Sequence, residues 1–361
     1  MGDFAFIIHP IELDDVFRKF KFMRKWPQSI VEGIIKLVPP FKISEIRGVR
    51  SQYAETSGYF IACPLTSKQM VELPEKVVID KIIKTGKVAE KLGAKIVGLG
   101  AMTAVVGDAG ITVAKNLNIA VTTGNSYTVA TALQGTKKAA ALMGIDLAEA
   151  EVLVIGATGS IGSVCARILA REVRFLTLLA RDRNKLNNLA ERILQETGLA
   201  VKISTDVKRS VRKADVIITV SGSAEALIDV MDLKPGAVVC DVARPRDVSK
   251  KAIELRNDVL VIEGGVVDVP GEVDFGFNFG FPPRTSYACM AETMLLALEN
   301  RFESFTLGRD LSVAQVDEIT ALAEKHGFKI SGFRSFERAL TNEEIAVVRQ
   351  NAAKKKQMAF K

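Results

Sequence analysis

Seven residues in the middle of this chain have the types and spacing of a phosphate cradle. Gly156-Ala157-Thr158-Gly159-Ser160-Ile161-Gly162 follows the apolar run Val152–Ile155 and precedes an apolar stretch through Leu169. Glycines in such a loop permit a tight turn, let backbone N–H groups approach a pyrophosphate and let helix pack closely on strand. A glycine motif alone is weak. Flanked by a strand and a helix within a multi-strand α/β pattern, it predicts a dinucleotide site. The next strand ends Leu178-Leu179-Ala180-Arg181-Asp182-Arg183. An acidic residue at that tip binds the ribose 2′-OH of NAD, whereas the guanidinium of Arg181, with Arg183 beside it, suits the 2′-phosphate of NADPH. Asp182 stands one residue late and keeps NAD open. Ser221, after a later strand, and Gly264 and Gly265, after the last one, complete the expected cofactor contacts.

The nucleophile candidates are four cysteines, Cys63, Cys165, Cys240 and Cys289, accompanied by two histidines. They form no Cys-x-x-Cys pair, which argues against a disulfide scaffold and a structural zinc site, and no metal is expected. Cys289 lies in Pro282-Pro283-Arg284-Thr285-Ser286-Tyr287-Ala288-Cys289-Met290-Ala291-Glu292. The prolines suit a helix start, and a helix is predicted over Thr285–Glu299 with Cys289 in its early turns. Near a helix N-terminus, with Arg284 close in sequence, a thiolate is favoured. Beside a nicotinamide, that thiolate can accept an acyl group as a thioester for reduction to an aldehyde. On residue type alone, a buried inert thiol is the simpler reading. Cys165 and Cys240 read as core, and Cys63, at a strand end before Pro64, is the rival nucleophile. His9 is the histidine placed to give a proton. His326, before Gly327, reads as a surface or capping residue.

The elements that must position these residues follow from periodicity. Apolar runs at Val152–Ile155, Phe175–Ala180, Val201–Ser204, Val216–Val220, Val238–Val242 and Val259–Ile262 alternate with helical stretches such as Asn184–Glu196, which predicts a doubly wound parallel Rossmann sheet. Upstream, Phe4–Ile8 and Phe60–Cys63 read as strands, Leu13–Met23 as a basic amphipathic helix and Lys76–Leu92 as a helix ending near Gly93. The expected organisation is α/β in two domains: an N-terminal α/β substrate domain over 1–125 and the Rossmann domain over 126–284, with a linking helix at 126–143. C-terminal helices over 285–361, including Leu311–His326, are expected to pack back across the cleft and to end in a frayed basic tail. The alternating Phe275, Phe277, Phe279 and Phe281 fit either an apolar cavity lining or half-buried strand positions.

Composition narrows the class. With 361 residues, 48% hydrophobic and 25% charged, the chain is globular rather than disordered. No apolar run approaches the roughly 20 residues of a membrane span. No signal peptide is read at the N-terminus, and the expected compartment is the cytoplasm. The net charge of +7 is concentrated in Arg18-Lys19-Phe20-Lys21-Phe22-Met23-Arg24-Lys25 and in the tail, on Lys354, Lys355, Lys356 and Lys361. A uniformly basic nucleic-acid binder would look different. Two patches suit an acidic partner or an anionic membrane surface, or are simply solvated.

Together, Gly124-Asn125-Ser126-Tyr127-Thr128, the Gly156–Gly162 loop, Glu263-Gly264-Gly265-Val266-Val267 and Ala288-Cys289-Met290-Ala291-Glu292 in this order resemble the long-chain acyl-[acyl-carrier-protein] reductases, NADPH-dependent enzymes that generate fatty aldehydes. The similarity runs from about Phe4 to Phe328. It implies that Cys289 is the acyl-accepting cysteine, and that the donor is an acyl carrier protein or acyl-coenzyme A. The carrier proteins are acidic, which gives Arg18–Lys25 a docking role. Two departures stand out: a longer, more basic tail beyond Ser331, and Val242-Ala243-Arg244-Pro245-Arg246 where a glycine-rich turn is expected. The competing readings are an NADP-dependent dehydrogenase of a small hydroxy acid, similar to shikimate dehydrogenases but without an Asn-x-Thr-x-Pro-x-Lys block, and a non-catalytic NADPH-sensing protein.

Overall fold

The β-branched runs do become strands. A computed structural model describes residues 2–221, 223, 226–243, 246–249, 254–278, 280–336 and 338–359, apart from the side chains of Arg18, Lys19 and Ala359. The chain divides into two units. One comprises Met1–Tyr127, Asp268–Asp310 and Glu318–Lys329, the other Thr128–Val267, Leu311–Asp317 and Ile330–Lys361.

The second unit is built on six strands, β6 (Glu151–Ile155), β7 (Phe175–Leu179), β8 (Lys202–Ser204), β9 (Val216–Thr219), β10 (Val238–Asp241) and β11 (Leu260–Glu263). Their order is β8-β7-β6-β9-β10-β11, every pairing parallel. This is the doubly wound dinucleotide-binding order, whose direction reverses between β6 and β9. Parallel strands covered on both faces must be apolar throughout, and Val152, Leu153, Val154 and Ile155 are all buried. The helices α7 (Ser160–Leu169), α8 (Arg183–Thr197) and α9 (Val207–Val211) alternate with the strands.

The first unit has β1 (Phe4–Ile8), β2 (Phe41–Arg50), β3 (Glu55–Ala62), β4 (Ile96–Gly98) and β5 (Ala120–Thr122) in the order β2-β3-β1-β4-β5, parallel except for β2 against β3. Alternation sends Ala5 and Ile7 into a core with Val78, Ile82 and Ala89 of α4 (Glu75–Lys91) and Val113 of α5 (Ile111–Lys115). Phe4 and Phe6 turn to the opposite face. There α10 (Ala288–Leu298) packs on β1, β3 and β4. A side chain at Gly98 would collide with Thr293 of that helix. Helix α6 (Asn125–Met143) begins in this unit and continues into the other.

Several expectations are corrected. The basic helix over Leu13–Met23 is α1 (Leu13–Lys19), then a break at Phe20 and a 3₁₀ turn over Lys21–Lys25. Repulsion among the cations clustered over Arg18–Lys25 disfavours a continuous helix. A short helix α2 (Gln28–Leu37) follows, and α3 (Ser67–Glu72) precedes α4. Phe20, Phe22 and Trp26 stay exposed, their rings edge to face at 6.4 and 5.8 Å. Thr285–Tyr287 is extended, so α10 starts at Ala288. The phenylalanine run is irregular rather than a strand: Phe275 is buried 6.0 Å from the Phe60 ring, and Phe279 lies outside the described residues.

The segment 285–361 is shared between the units, α10 belonging to the first and α12 (Asn342–Ala359) to the second. The tail expected to fray is thus the helix α12. Its Lys355 lies 3.3 Å from the buried Asp258, and Asn351 Nδ2 donates to the Asn257 carbonyl at 3.2 Å. The remaining helix is α11 (Val313–His326).

Burial pushes the Asp258 carboxyl up, but Arg256 at 2.6 Å and Lys355 together hold it below its ordinary range. Asp258→Asn leaves the buried Arg256 guanidinium without its counter-charge. It should cost about 3 kcal/mol in urea unfolding, whereas Lys355→Met, at the half-exposed end of the network, should cost less than about 1 kcal/mol.

Candidate functional site

In the second unit the loop after β6 is built so that only glycine fits. Gly156 has φ +77°, and a β-carbon there would come within 2.8 Å of the Val220 carbonyl oxygen. One at Gly162 would overlap the Gly156 carbonyl, and one at Gly159 would press on the same oxygen at 3.3 Å. Gly159 caps α7 without a side chain, which leaves first-turn N–H groups open among the described residues, and Ser160 Oγ is buried with no hydrogen-bond partner among them. Ala157, Thr158 and Ile161 complete the turn. Open amides, an orphan hydroxyl and backbone uncovered by side chains together fit a pyrophosphate.

At the tip of β7, Arg181 and Arg183 are exposed. Asp182 caps α8, its carboxylate accepting from the N–H groups of Asn184 and Lys185 at 3.0 and 3.1 Å. Ser221 follows β9. Its N–H and hydroxyl both donate to the fully buried Asp247, which also accepts from the Thr219 hydroxyl. Sequence reasoning passed over Asp247. A β-carbon at Gly264 would stand 2.7 Å from Val242 and 3.1 Å from Cys240 Sγ, and Gly265 has φ +82°. Arg244 and Pro245 lie outside the described residues.

In the first unit the chemistry gathers where strands end. β1 runs into His9, β3 into Cys63 and β5 into Thr123 and Gly124. Cys289 is the second residue of α10, and of the four cysteines it alone is not buried. Gly124, with φ +74°, is pressed against it so closely that a β-carbon would overlap the Cα and Cβ of Cys289. One turn further along α10, Glu292 is fully buried. Its carboxylate accepts from the hydroxyls of Thr122, Ser126 and Thr306 and from the Tyr127 N–H, the last three at 2.6, 2.7 and 2.9 Å. Sequence reasoning quoted Glu292 but gave it no part. The signal was available: it is the single charged residue of an otherwise apolar helix.

The other candidates are occupied. Cys63 sits in the core, where burial pushes its thiol up to about 11 against the lowering pull of Thr85 and Lys81. Burial also raises the Cys165 thiol, and Cys240 Sγ lies 3.8 Å from the Ala132 carbonyl oxygen. Arg284, expected beside the thiol, has φ +62° and pairs with Glu272 at 3.4 Å.

His9 Nε2 accepts from the Met102 N–H at 3.2 Å, which leaves Nδ1 to donate to the Pro10 carbonyl at 3.0 Å. His326 is a correction: it is buried, not a surface residue, with Nδ1 2.8 Å from Ser51 Oγ and Nε2 against Glu299.

Strand order and glycine loop define a dinucleotide-binding fold, and comparison with known proteins makes the class an NAD(P)-dependent oxidoreductase. Residues 137–263 match the shikimate/quinate 5-dehydrogenase family model. The chain is 27% identical over 306 residues to the long-chain acyl-[acyl-carrier-protein] reductase of Synechococcus elongatus, covering 81% of this chain and 87% of that protein. It is 29% identical over 346 residues to the aminotransferase PigE of a Serratia species, covering 92% of this chain. The chain spans only 40% of the length of PigE. Among solved structures, a dipicolinate synthase chain from Bacillus halodurans is similar at 18% identity and a TM-score of 0.33, over 53% of this chain and 62% of that one.

Desolvation pulls the His9 imidazole below its ordinary 6.5, outweighing the raising effects of the Pro10 carbonyl and the Asp15 carboxylate. The folded protein therefore resists protonation that the unfolded chain accepts. The stability this contributes is complete above about pH 6.5 and is lost as pH falls through the lower folded value. Melting temperatures between pH 7.5 and 5 should show that loss in the wild type and a shallower one in His9→Gln, which keeps an acceptor for Met102 and does not titrate.

Proposed function

We propose that this chain reduces a long-chain acyl thioester to the fatty aldehyde with NADPH, through a thioester on Cys289. The observation that carries the proposal is the setting of Cys289: the one unburied thiol of four, at the N-terminus of α10, against a glycine that leaves room for nothing else. A helix N-terminus favours the thiolate, which is both the attacking group and, later, the leaving group. The acyl-[acyl-carrier-protein] reductase relative supports the same chemistry. The shikimate/quinate match is confined to 137–263 and so bears on the nucleotide half alone.

The residues of the second unit that would hold NADPH are the loop from Gly156 to Gly162, with Arg181 and Arg183 toward the 2′-phosphate. Asp182 caps α8 through Oδ1 and the exposed Arg181 and Arg183 stand on either side of it, which favours NADPH. When bound, that cofactor supplies the hydride. The chain's own part is to accept the acyl group on Cys289, hold it and release the product. Both ring nitrogens of His9 are held by backbone groups, so water is the simpler proton donor, and His9 could serve only by giving up Met102.

The test is intact-mass analysis after mixing with a long-chain acyl thioester in the absence of NADPH. A mass gain of one acyl group is expected, and none in Cys289→Ala. Unchanged turnover in that variant would sink the covalent route.

Acyl carrier protein is the proposed donor, docking on the exposed cations Lys21, Arg24 and Lys25. Replacing all three by alanine should raise KM for acyl carrier protein several-fold and leave KM for acyl-coenzyme A nearly unchanged. Equal effects on both would make the patch a solvated face.

A further inference from the structure

The turn that touches Cys289 carries more hydrogen-bonding capacity than the protein uses. Asn125 is 8% exposed, and its carboxamide has no partner among the described residues. It follows Gly124 directly, so its Cα stands only about 3.8 Å beyond the residue wedged against the nucleophile. It also opens helix α6, whose first N–H groups have no carbonyl one turn back to bond. The Tyr127 N–H is taken by Glu292. Those of Asn125 and Ser126 have no partner among the described residues. The carboxamide is not sealed from solvent, so a ligand can reach it and pair with it. The ligand that these groups suit is an oxygen carrying negative charge.

We infer that the turn Gly124–Ser126 is the pocket for the carbonyl oxygen of the acyl group attacked by Cys289. The Asn125 carboxamide and the Asn125 and Ser126 N–H groups are its donors, and Glu292 is the residue that positions them. This pocket presupposes the Cys289 acyl-enzyme proposed above. In the step it serves, the Cys289 thiolate attacks the thioester carbonyl carbon, a C–S bond forms and the C=O π pair moves onto oxygen. The pair then returns, the bond to the donor sulfur breaks, and the departing thiolate takes a proton from water. Nothing is oxidised or reduced. Donors fixed before the charge develops stabilise the oxyanion without reorganising. Glu292 fixes them by binding the Ser126 hydroxyl and the Tyr127 N–H on one carboxylate oxygen and the hydroxyls of Thr122 and Thr306 on the other.

The experiment measures two reactions of the same sulfur in the full-length protein without NADPH: acylation by palmitoyl-coenzyme A, followed by rapid quench and intact mass, and alkylation by iodoacetamide, which builds no oxyanion. Asn125→Ala should slow acylation by on the order of 10²-fold and leave alkylation within about twofold. Asn125→Asp, close in shape but an acceptor where a donor is needed, should be slowed at least as much, and it serves if the alanine variant does not fold. Glu292→Gln should lower the maximal acylation rate with little change in the half-saturating palmitoyl-coenzyme A concentration and little change in alkylation. Unaltered acylation in the Asn125 variants overturns the pocket, as does an equal fall in both reactions, which would mark a role in thiolate formation or packing. Absence of acylation on Cys289 in the wild type overturns the acyl-enzyme reading itself, and the pocket with it.

Discussion

The first unit depends on a buried carboxylate that has no cation beside it among the described residues. Desolvating Glu292 without compensation would be prohibitive, so the protein surrounds it with donors. An ionised carboxylate accepts through two oxygens with about four lone-pair sites. Here Oε1 takes the hydroxyls of Thr122 and Thr306, and Oε2 takes the Ser126 hydroxyl and the Tyr127 N–H. Neutral donors satisfy the charge without bringing a second charge into the core, which would need its own counter-ion. They also come from three places in the sequence: the end of β5, the first turn of α6 and the segment after α10. One side chain therefore fixes where those three meet. Because Glu292 is one turn from Cys289 on the same rigid helix, it also fixes them with respect to the sulfur.

The close approach of Gly124 to Cys289 is a consequence. Thr122 is anchored to the carboxylate from the strand side and Ser126 from the helix side, so the chain between them has little freedom. The Thr123 N–H donates to the Thr306 carbonyl at 2.9 Å, which narrows it further. The intervening residue must turn with a positive φ and lie against the backbone of Cys289, a combination open only to glycine. The other unit meets the same requirement in its own loop, where Gly156 and Gly162 let the first turn of α7 close against the end of β6. Each unit thus gathers its candidate site groups beyond the carboxyl ends of parallel strands, where loops are free to carry them.

The sheet of the second unit was readable because its strands are continuous apolar runs, and β6, β7, β9, β10 and β11 fall within a residue or two of the runs expected. The glycine loop was readable for the same reason, since steric rules are local. What escaped is long-range. Nothing near Glu292 in sequence indicates that Thr122, Ser126 and Thr306 come to it, because those contacts span 170, 166 and 14 positions. The tail looked too polar to fold on its own, and it forms a helix that Asp258, nearly a hundred residues earlier, helps to hold through Lys355. His326 looked like an end-of-helix surface residue, because its partners Ser51 and Glu299 are remote or on another helix. The break at Phe20 was missed for a different reason: amphipathic spacing was weighed there without the mutual repulsion of the cations.

Burial is also what separates the two thiols near the strand ends of the first unit. Cys63 follows β3, and its N–H donates to the Ile8 carbonyl at 2.8 Å, so its backbone is part of the sheet edge. Its side chain turns into the apolar core with Leu65, Met70 and Val78, where the anion has almost no solvation. The pull of Lys81 does not offset that loss, and the thiol stays protonated at physiological pH. Cys289 starts from the same residue type but occupies the second position of a long apolar helix whose following residues are all buried. Burial of the remainder of α10 holds the helix in place while Cys289 stays partly exposed near its N-terminus, the end that favours an anion. Chemical distinction between identical side chains therefore arises from packing: the same core that silences one sulfur supplies the support on which the other is presented.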